Sequence, residues 1–297
     1  MKITVIGGSG FIGSHVADCL SKQGHRVKIF DKKKSKWLKK NQRIFIGDIF
    51  NYDDLDKSIK GSDIVYNFAA LSDLNKALTH PIETVKSNIL GTVNALEISR
   101  KNKIKRFIQA STIYANSSEG GFYRCSKKAA EDYVEEYKKT FGIDFTVLRF
   151  GTVYGPRSDQ SNGVYSIISN GILKRKISYV GSKEAVREYI HVIDAAKASV
   201  DILKKNFKNK YVLITGSKAM KVGNFLKILS KILKISGKIH FQNKKNTGHY
   251  IVKPSIYKAK LGKKYITKKN IGFKDGLIEL VEIIKNKYGN IEQWFAH

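Results

Sequence analysis

Near its start the chain makes a turn that few folds can use. A short β-branched run, Ile3–Ile6, is followed at once by Gly-Gly-Ser-Gly-Phe-Ile-Gly, residues 7–13, and then by a helical pattern, Phe11–Gln23, closed by Gly24. Gly7, Gly10 and Gly13 stand in G-x-x-G-x-x-G spacing. Glycine at these points permits a tight turn, lets backbone N–H groups approach a pyrophosphate, and lets a helix pack closely on a strand. The strand before the turn and the helix after it separate this pattern from an ordinary glycine-rich loop. It predicts the first βα unit of a parallel sheet.

The rest of the first half repeats the theme. Val27–Phe30, Ile44–Ile46, Ile64–Phe68, Phe107–Gln109 and Phe145–Leu148 read as strands; Pro81–Arg100 and Tyr123–Phe141 read as amphipathic helices, the second stopping at Gly142. Strand and helix alternating in this way predict an α/β fold, a Rossmann-type doubly wound parallel sheet. The second half is less regular. Helices are expected at Ser161–Leu173, Val192–Lys205, Val222–Leu233 and Gly276–Tyr288, strands at Ile177–Val180, Glu188–His191 and Tyr211–Thr215, with a Lys-rich irregular stretch reaching about Asn270. The expected layout is a Rossmann domain over 1–155, with 187–215 adding to its sheet, and a smaller C-terminal α/β substrate lobe, mainly 156–297.

Charge is the unusual part of the composition. The 297 residues carry 55 Lys+Arg against 25 Asp+Glu, a net charge of +30. Residues 204–287 hold 22 lysines, no arginine and three acids. Such a field attracts polyanions. Nucleic-acid surfaces, however, favour arginine clusters and aromatic platforms, and this stretch shows neither. A Lys-rich background is the better reading, and no nucleic-acid partner is expected. Only Cys19 and Cys125 are present, which fits a reducing compartment, and no histidine or cysteine falls in a metal-ligand spacing. No run approaches the roughly 18 apolar residues of a membrane span, and the opening ITVIGG is too short for a signal sequence. A soluble cytoplasmic protein without a bound metal is expected.

Two further groups suggest chemistry. Asp31 closes the second strand, where a carboxylate can bond both hydroxyls of an adenosine ribose and repel a 2′-phosphate; NAD is favoured over NADP, with Lys32, Lys33 and Lys34 beside it. Tyr123 and Lys127 lie four apart in YRCSK, on one face of a helix. An ammonium beside a phenol favours phenolate, so Tyr123 is expected to be a base of lowered pKa that takes a hydroxyl proton as hydride leaves. Ser111, after the fifth strand, is the candidate hydroxyl partner. Cys125 reads as a packed thiol, and His191 as a structural hydrogen-bonder.

With these residues in view, the chain resembles the extended short-chain dehydrogenase/reductases, in particular the NAD-dependent epimerase/dehydratase group acting on nucleotide sugars. The likeness also runs through GDI at 47–49, NFAA at 67–70, SNILGTVNALE around Asn88, LRFGTVYGPR at 148–157, REYIHVIDAA at 187–196, SIYKAKLG at 255–262 and FKDGLIE at 273–279. It implies NAD contacts from Gly7, Gly10, Phe11, Ile12, Gly13, Asp31, Asp48, Ile49, Ala69, Ala70 and Lys127. It makes Tyr123 the base and Lys127 its electrostatic partner, and Arg187 the holder of a sugar-nucleotide diphosphate. Asn88 and Thr152 fall at further substrate positions. A homodimer through the helices matching Pro81–Arg100 and Tyr123–Phe141, and a part in surface polysaccharide synthesis, are also implied.

The departures narrow the chemistry. The family's Ser/Thr four residues before Tyr114 is Ala110 here, so either Ser111 or Thr112 takes that role, with Ser111 preferred. Dehydratases carry an Asp-Glu pair after the Thr; this chain has Ile113 and Tyr114. Where many relatives have Asn, Thr152 stands. The expected reaction is therefore epimerisation of a nucleoside-diphosphate sugar, in the manner of a UDP-glucose 4-epimerase, through transient hydride transfer to bound NAD. A nucleotide-sugar ketoreductase or dehydrogenase, with NAD or NADP, uses the same residues. A non-catalytic NAD-binding protein whose basic lobe grips RNA or membrane is the remote alternative.

Overall fold

The computed structural model describes residues 1–235, 239–242, 263–267 and 270–288. In chain order the first half comprises β1 (Lys2–Ile6), α1 (Phe11–Lys22), β2 (Arg26–Asp31), β3 (Gln42–Ile46), α2 (Tyr52–Ile59), β4 (Ile64–Asn67), α3 (Leu74–Thr79), α4 (Pro81–Val85), a π turn over Lys86–Leu90, α5 (Gly91–Lys101), β5 (Arg106–Thr112), α6 (Gly121–Phe141) and β6 (Asp144–Phe150). The second half comprises β7 (Thr152–Tyr154), α7 (Gly163–Lys174), β8 (Ser178–Val180), β9 (Val186–His191), α8 (Val192–Asp201), β10 (Lys210–Ile214), β11 (Ala219–Lys221), α9 (Val222–Leu233), β12 (His240–Gln242), β13 (Lys263–Lys264) and α10 (Phe273–Tyr288).

Eight strands form one parallel sheet in the order β13-β10-β6-β5-β4-β1-β2-β3. The strand order reverses between β1 and β4, and in such sheets the crevice at the carboxyl ends of those two strands takes the ligand. Side chains of Ile3, Val5, Val16, Leu20, Ala195 and Val212 fill one face of the sheet, under α1 and α8. Phe107, Val147, Leu96 and Val134 fill the other, under α5 and α6. A third core, around Phe225, Leu229, Leu277 and Leu280, belongs to the smaller lobe.

Of the segment 187–215, β10 adds to the large sheet beside β6, but β9 does not: it pairs with β7 and β11 in a separate three-stranded sheet. Helix α8 stops at Asp201, short of Lys205, because Arg106 reaches across and donates to the carbonyls of Ile202 and Leu203 at 2.9 and 3.1 Å. The run Pro81–Arg100 is not one regular helix; the π turn interrupts it and carries Asn88. Helix α2 had a signal in Asn51, whose side chain accepts from the N–H groups of Asp53 and Asp54. The segment SIYKAKLG lies outside the described residues, as does most of the Lys-rich stretch before Asn270. Among the described residues no helix is long and apolar enough to cross a membrane.

Candidate active site

The glycine turn connects β1 to α1. Gly7 has φ +75°, and a Cβ there would lie 2.6 Å from the Ala69 nitrogen, on the loop that follows β4. At Gly13 a Cβ would lie 2.3 Å from the Gly7 carbonyl oxygen. The turn is therefore folded tightly onto itself and onto the next strand loop. Gly10 is the N-cap of α1 and brings no side-chain cap, so the first-turn N–H groups of Phe11, Ile12 and Gly13 head a helix whose positive end faces the crevice. Both Asp31 oxygens accept from main chain, Oδ2 from Ser9 N at 3.0 Å and Oδ1 from Lys33 N at 3.1 Å. This fastens the carboxylate to the lip of the turn.

Further along the crevice Asp48 accepts from Phe50 N at 3.0 Å and pairs with Lys32 at 3.1 Å. That ion pair engages the first of the three lysines. Ile49 is buried, its carbonyl accepting from Asn94. Ala69 donates its N–H to Asn67, and Ala70 follows, half-buried. A tight glycine turn, an uncapped helix terminus and an anchored carboxylate at the end of β2 fit the pyrophosphate and ribose of a dinucleotide.

Tyr123 and Lys127 project from the first turns of α6 toward the carboxyl end of β5. The Lys127 ammonium lies 6.0 Å from the Tyr123 ring centre, donates to the Ala110 carbonyl at 3.0 Å, and is 3% exposed. Burial pulls Lys127 down to about 8, against the raising effect of Glu131. The phenol departs from expectation. Burial pushes Tyr123 above its usual value rather than below it, because taking a phenolate out of water outweighs an ammonium at this range.

The other residues expected here are placed differently from one another. Ser111 turns to the α6 side of the sheet and donates its proton to Glu131 Oε1 at 2.6 Å. Its hydroxyl proton is thus engaged inside the protein, which weighs against Ser111 as the hydroxyl partner. Thr112 accepts from Tyr114 N at 3.2 Å, a bond that leaves its own proton unspent. Asn88 is also committed: its oxygen accepts from Leu71 N at 2.7 Å, and its amide donates to Leu71 O and Ser126 Oγ at 3.0 and 2.9 Å. With both amide hydrogens and one lone pair of the oxygen engaged, it clamps the β4 loop onto α6. Arg187, on β9, is 6% exposed and donates to the Val186 carbonyl at 2.9 Å; Thr152 begins β7, in register with Tyr189. His191 caps α8 through Nδ1 and meets Glu279 at 3.0 Å, a structural post. Cys125, read as packed, is exposed.

Two residues that spacing did not reveal follow this pair on α6 and β6. Glu131, one turn beyond Lys127, receives Arg149 on both oxygens, at 2.9 and 2.7 Å, and neither side chain reaches solvent. A charged residue in the middle of the apolar run Val147–Phe150 was the available signal.

The profile of the NAD dependent epimerase/dehydratase family matches residues 3–214. The chain belongs to this family. Among the members it resembles are a Methanocaldococcus jannaschii protein assigned as a UDP-glucose 4-epimerase, 30% identical over 96% of this chain and 98% of the relative, and a UDP-glucuronate 4-epimerase of Thermodesulfobacterium geofontis, 27% identical over 86% and 88%. The crystal structure of UDP-glucose 4-epimerase from Thermotoga maritima, solved with UDP-glucose, superposes with a TM-score of 0.82 at 26% identity, covering 97% of this chain and 99% of that one. Epimerase/dehydratase family architecture thus extends over the smaller lobe as well as the parallel sheet.

Proposed function

We propose that this protein is an NAD-dependent 4-epimerase of a UDP-hexose. The observation that carries the reading is the pairing of Tyr123 and Lys127 on one face of α6, at the carboxyl edge of β5 and on the same crevice as the glycine turn. Similarity to 4-epimerases over nearly the whole chain supports it. The absence of an acid after Thr112, where Ile113 and Tyr114 stand, speaks against elimination of water.

The N–H groups at the start of α1 would hold the NAD pyrophosphate, Asp31 the ribose, Asp48 and Ile49 the adenine, and Ala69 and Ala70 the segment beside it. Bound there, NAD would supply the acceptor and donor of a hydride that epimerisation needs. Tyr123 takes the proton of the sugar 4-hydroxyl and later returns it, so no proton is consumed overall. Lys127, fixed by the Ala110 carbonyl, offsets the cost of a phenolate in a buried setting. Thr112 is the hydroxyl that supports Tyr123, since Ser111 is engaged elsewhere. Arg187 binds the diphosphate. The test is Tyr123→Phe with a panel of UDP-hexoses: kcat should fall by about 10²- to 10⁴-fold with NAD binding retained. Unchanged turnover would remove the mechanism.

A homodimer is part of the proposal. Ile82, Val85 and Leu90 on α4 and the π turn, and Phe122, Tyr133 and Phe141 on α6, are 46–71% exposed, an apolar surface suited to a second copy. Sedimentation should give twice the monomer mass, and charges placed at Ile82 and Phe141 should halve it. A reducing, cytoplasmic setting is consistent with the two unbridged cysteines.

A further inference from the structure

A buried ion pair is an expensive feature, and this one sits beside the catalytic lysine. Glu131 and Arg149 are 0% and 1% exposed at their side chains, and an apolar pair of similar volume would be as stable in that place. The cluster is larger than the pair. Ser111 donates to the same Glu131 oxygen that takes Arg149 Nε, the Arg149 guanidinium lies 4.3 Å from the Tyr211 ring centre, and Tyr211 donates to Glu135 at 2.6 Å. Three neighbouring strands, β5, β6 and β10, are thereby bonded to one face of α6 through side chains. Lys127 lies on that face one turn before Glu131, and Tyr123 one turn before Lys127.

We propose that Glu131 is a positioning residue for the epimerase reaction: held rigid by Arg149 and Ser111, its carboxylate keeps Lys127 in its ammonium form beneath the Ala110 carbonyl. The physical need is clear. A lysine 3% exposed is drawn toward the neutral amine, and a neutral Lys127 cannot stabilise a phenolate. The charged and titratable groups around Lys127 are Tyr123 and Glu131 on its own helix and Arg149 on β6, with Tyr211 and Glu135 beyond. Of the buried pair, Glu131 is the member whose charge acts on Lys127, and it acts to raise it. Arg149 and Ser111 hold the carboxylate still, so that it keeps its place one turn from Lys127 and does not swing toward Tyr123. Ser111 thus serves the chemistry two steps removed from the sugar.

The inference depends on the epimerase reading only for its catalytic consequence, so the first measurement needs no substrate. Trace acetylation of the intact protein at a series of pH values, read peptide by peptide by mass spectrometry, gives the Lys127 titration midpoint. It should lie near pH 8 in the natural protein, as burial and Glu131 together set it. In Glu131→Gln it should fall by about one pH unit or more, a roughly tenfold weaker hold on the proton. The alkaline limb of kcat should move down by the same amount. Glu131→Asp, which keeps the charge, should recover part of the shift. A folded Glu131→Gln protein with an unmoved midpoint, losing activity equally at all pH values, would overturn the proposal and leave the pair a structural one. If that variant does not fold, Glu131→Gln with Arg149→Met removes both buried charges; its Lys127 midpoint must still fall, and an unchanged value overturns the idea. A wild-type protein that turns over no UDP-hexose would sink the functional reading while leaving the midpoint result to stand on its own.

Discussion

Between Gly7 and Asp31 the crevice is shaped by main chain; between Ser111 and Arg149 it is shaped by buried charge. At the first end, the Gly7 and Gly13 backbones lie where no side chain fits, and Asp31 is held by two backbone N–H groups. At the second, four elements each send one or two polar side chains to a single point: Ser111, Lys127 with Glu131, Arg149 and Tyr211. The first arrangement positions a ligand by sterics and fixed dipoles, which keep their strength across pH. The second must also hold protonation states, and does so by pairing charges out of water. A crevice that only bound a dinucleotide would need the first device alone.

That contrast predicts where the molecule is most fragile. Arg149→Met leaves Glu131 buried without its counter-ion, and losing one partner of such a pair costs about 3–5 kcal/mol. Chemical denaturation should show a loss of that size, together with a downward shift of the Lys127 midpoint, smaller than in Glu131→Gln, because a carboxylate freed of its guanidinium no longer keeps its place beside Lys127. Loss of stability with no movement at Lys127 would place the two ends on the same footing, each a matter of packing.

The difference between the ends also explains how much of the molecule could be read in advance. Gly7, Gly10, Gly13 and Asp31 act through backbone geometry at close sequence spacing, so the turn, the parallel sheet and the dinucleotide end were legible. That Tyr123 and Lys127 share one face of a helix was legible for the same reason, a four-residue interval. Glu131 lies on the same interval, but its meaning depends on Arg149, 18 residues away on β6, and on Ser111, 20 residues before it on β5. Spacing carries no record of which face of β5 a hydroxyl leaves from, so Ser111 was preferred over Thr112 as the hydroxyl partner. For Asn88 the family position was recognisable, but the π turn that aims it at Leu71 and Ser126 was not. In the second half, strands of three residues such as β7 and β11 carry too little alternation to be seen without their partners.

A pair of glycine substitutions tests the main-chain end at smaller cost. Gly7 and Gly24 have nearly the same backbone, φ +75° and +79°, in the segments before and after α1. An alanine at either position bears the left-handed penalty of about 1–2 kcal/mol, offset by several tenths from a less flexible unfolded chain. At Gly24 nothing lies within 4 Å of the new Cβ, so Gly24→Ala should cost about 1 kcal/mol and leave NAD affinity unchanged. At Gly7 the same methyl meets the Ala69 backbone at 2.6 Å, and relieving that contact adds about 1–3 kcal/mol and displaces the loop expected to lie beside the cofactor. Denaturation curves and NAD titration of the two variants separate backbone conformation from close approach. Equal losses in both would mean that the turn is merely a turn; a drop in NAD affinity confined to Gly7→Ala would mean that the nearness of β1 and β4 is what binds.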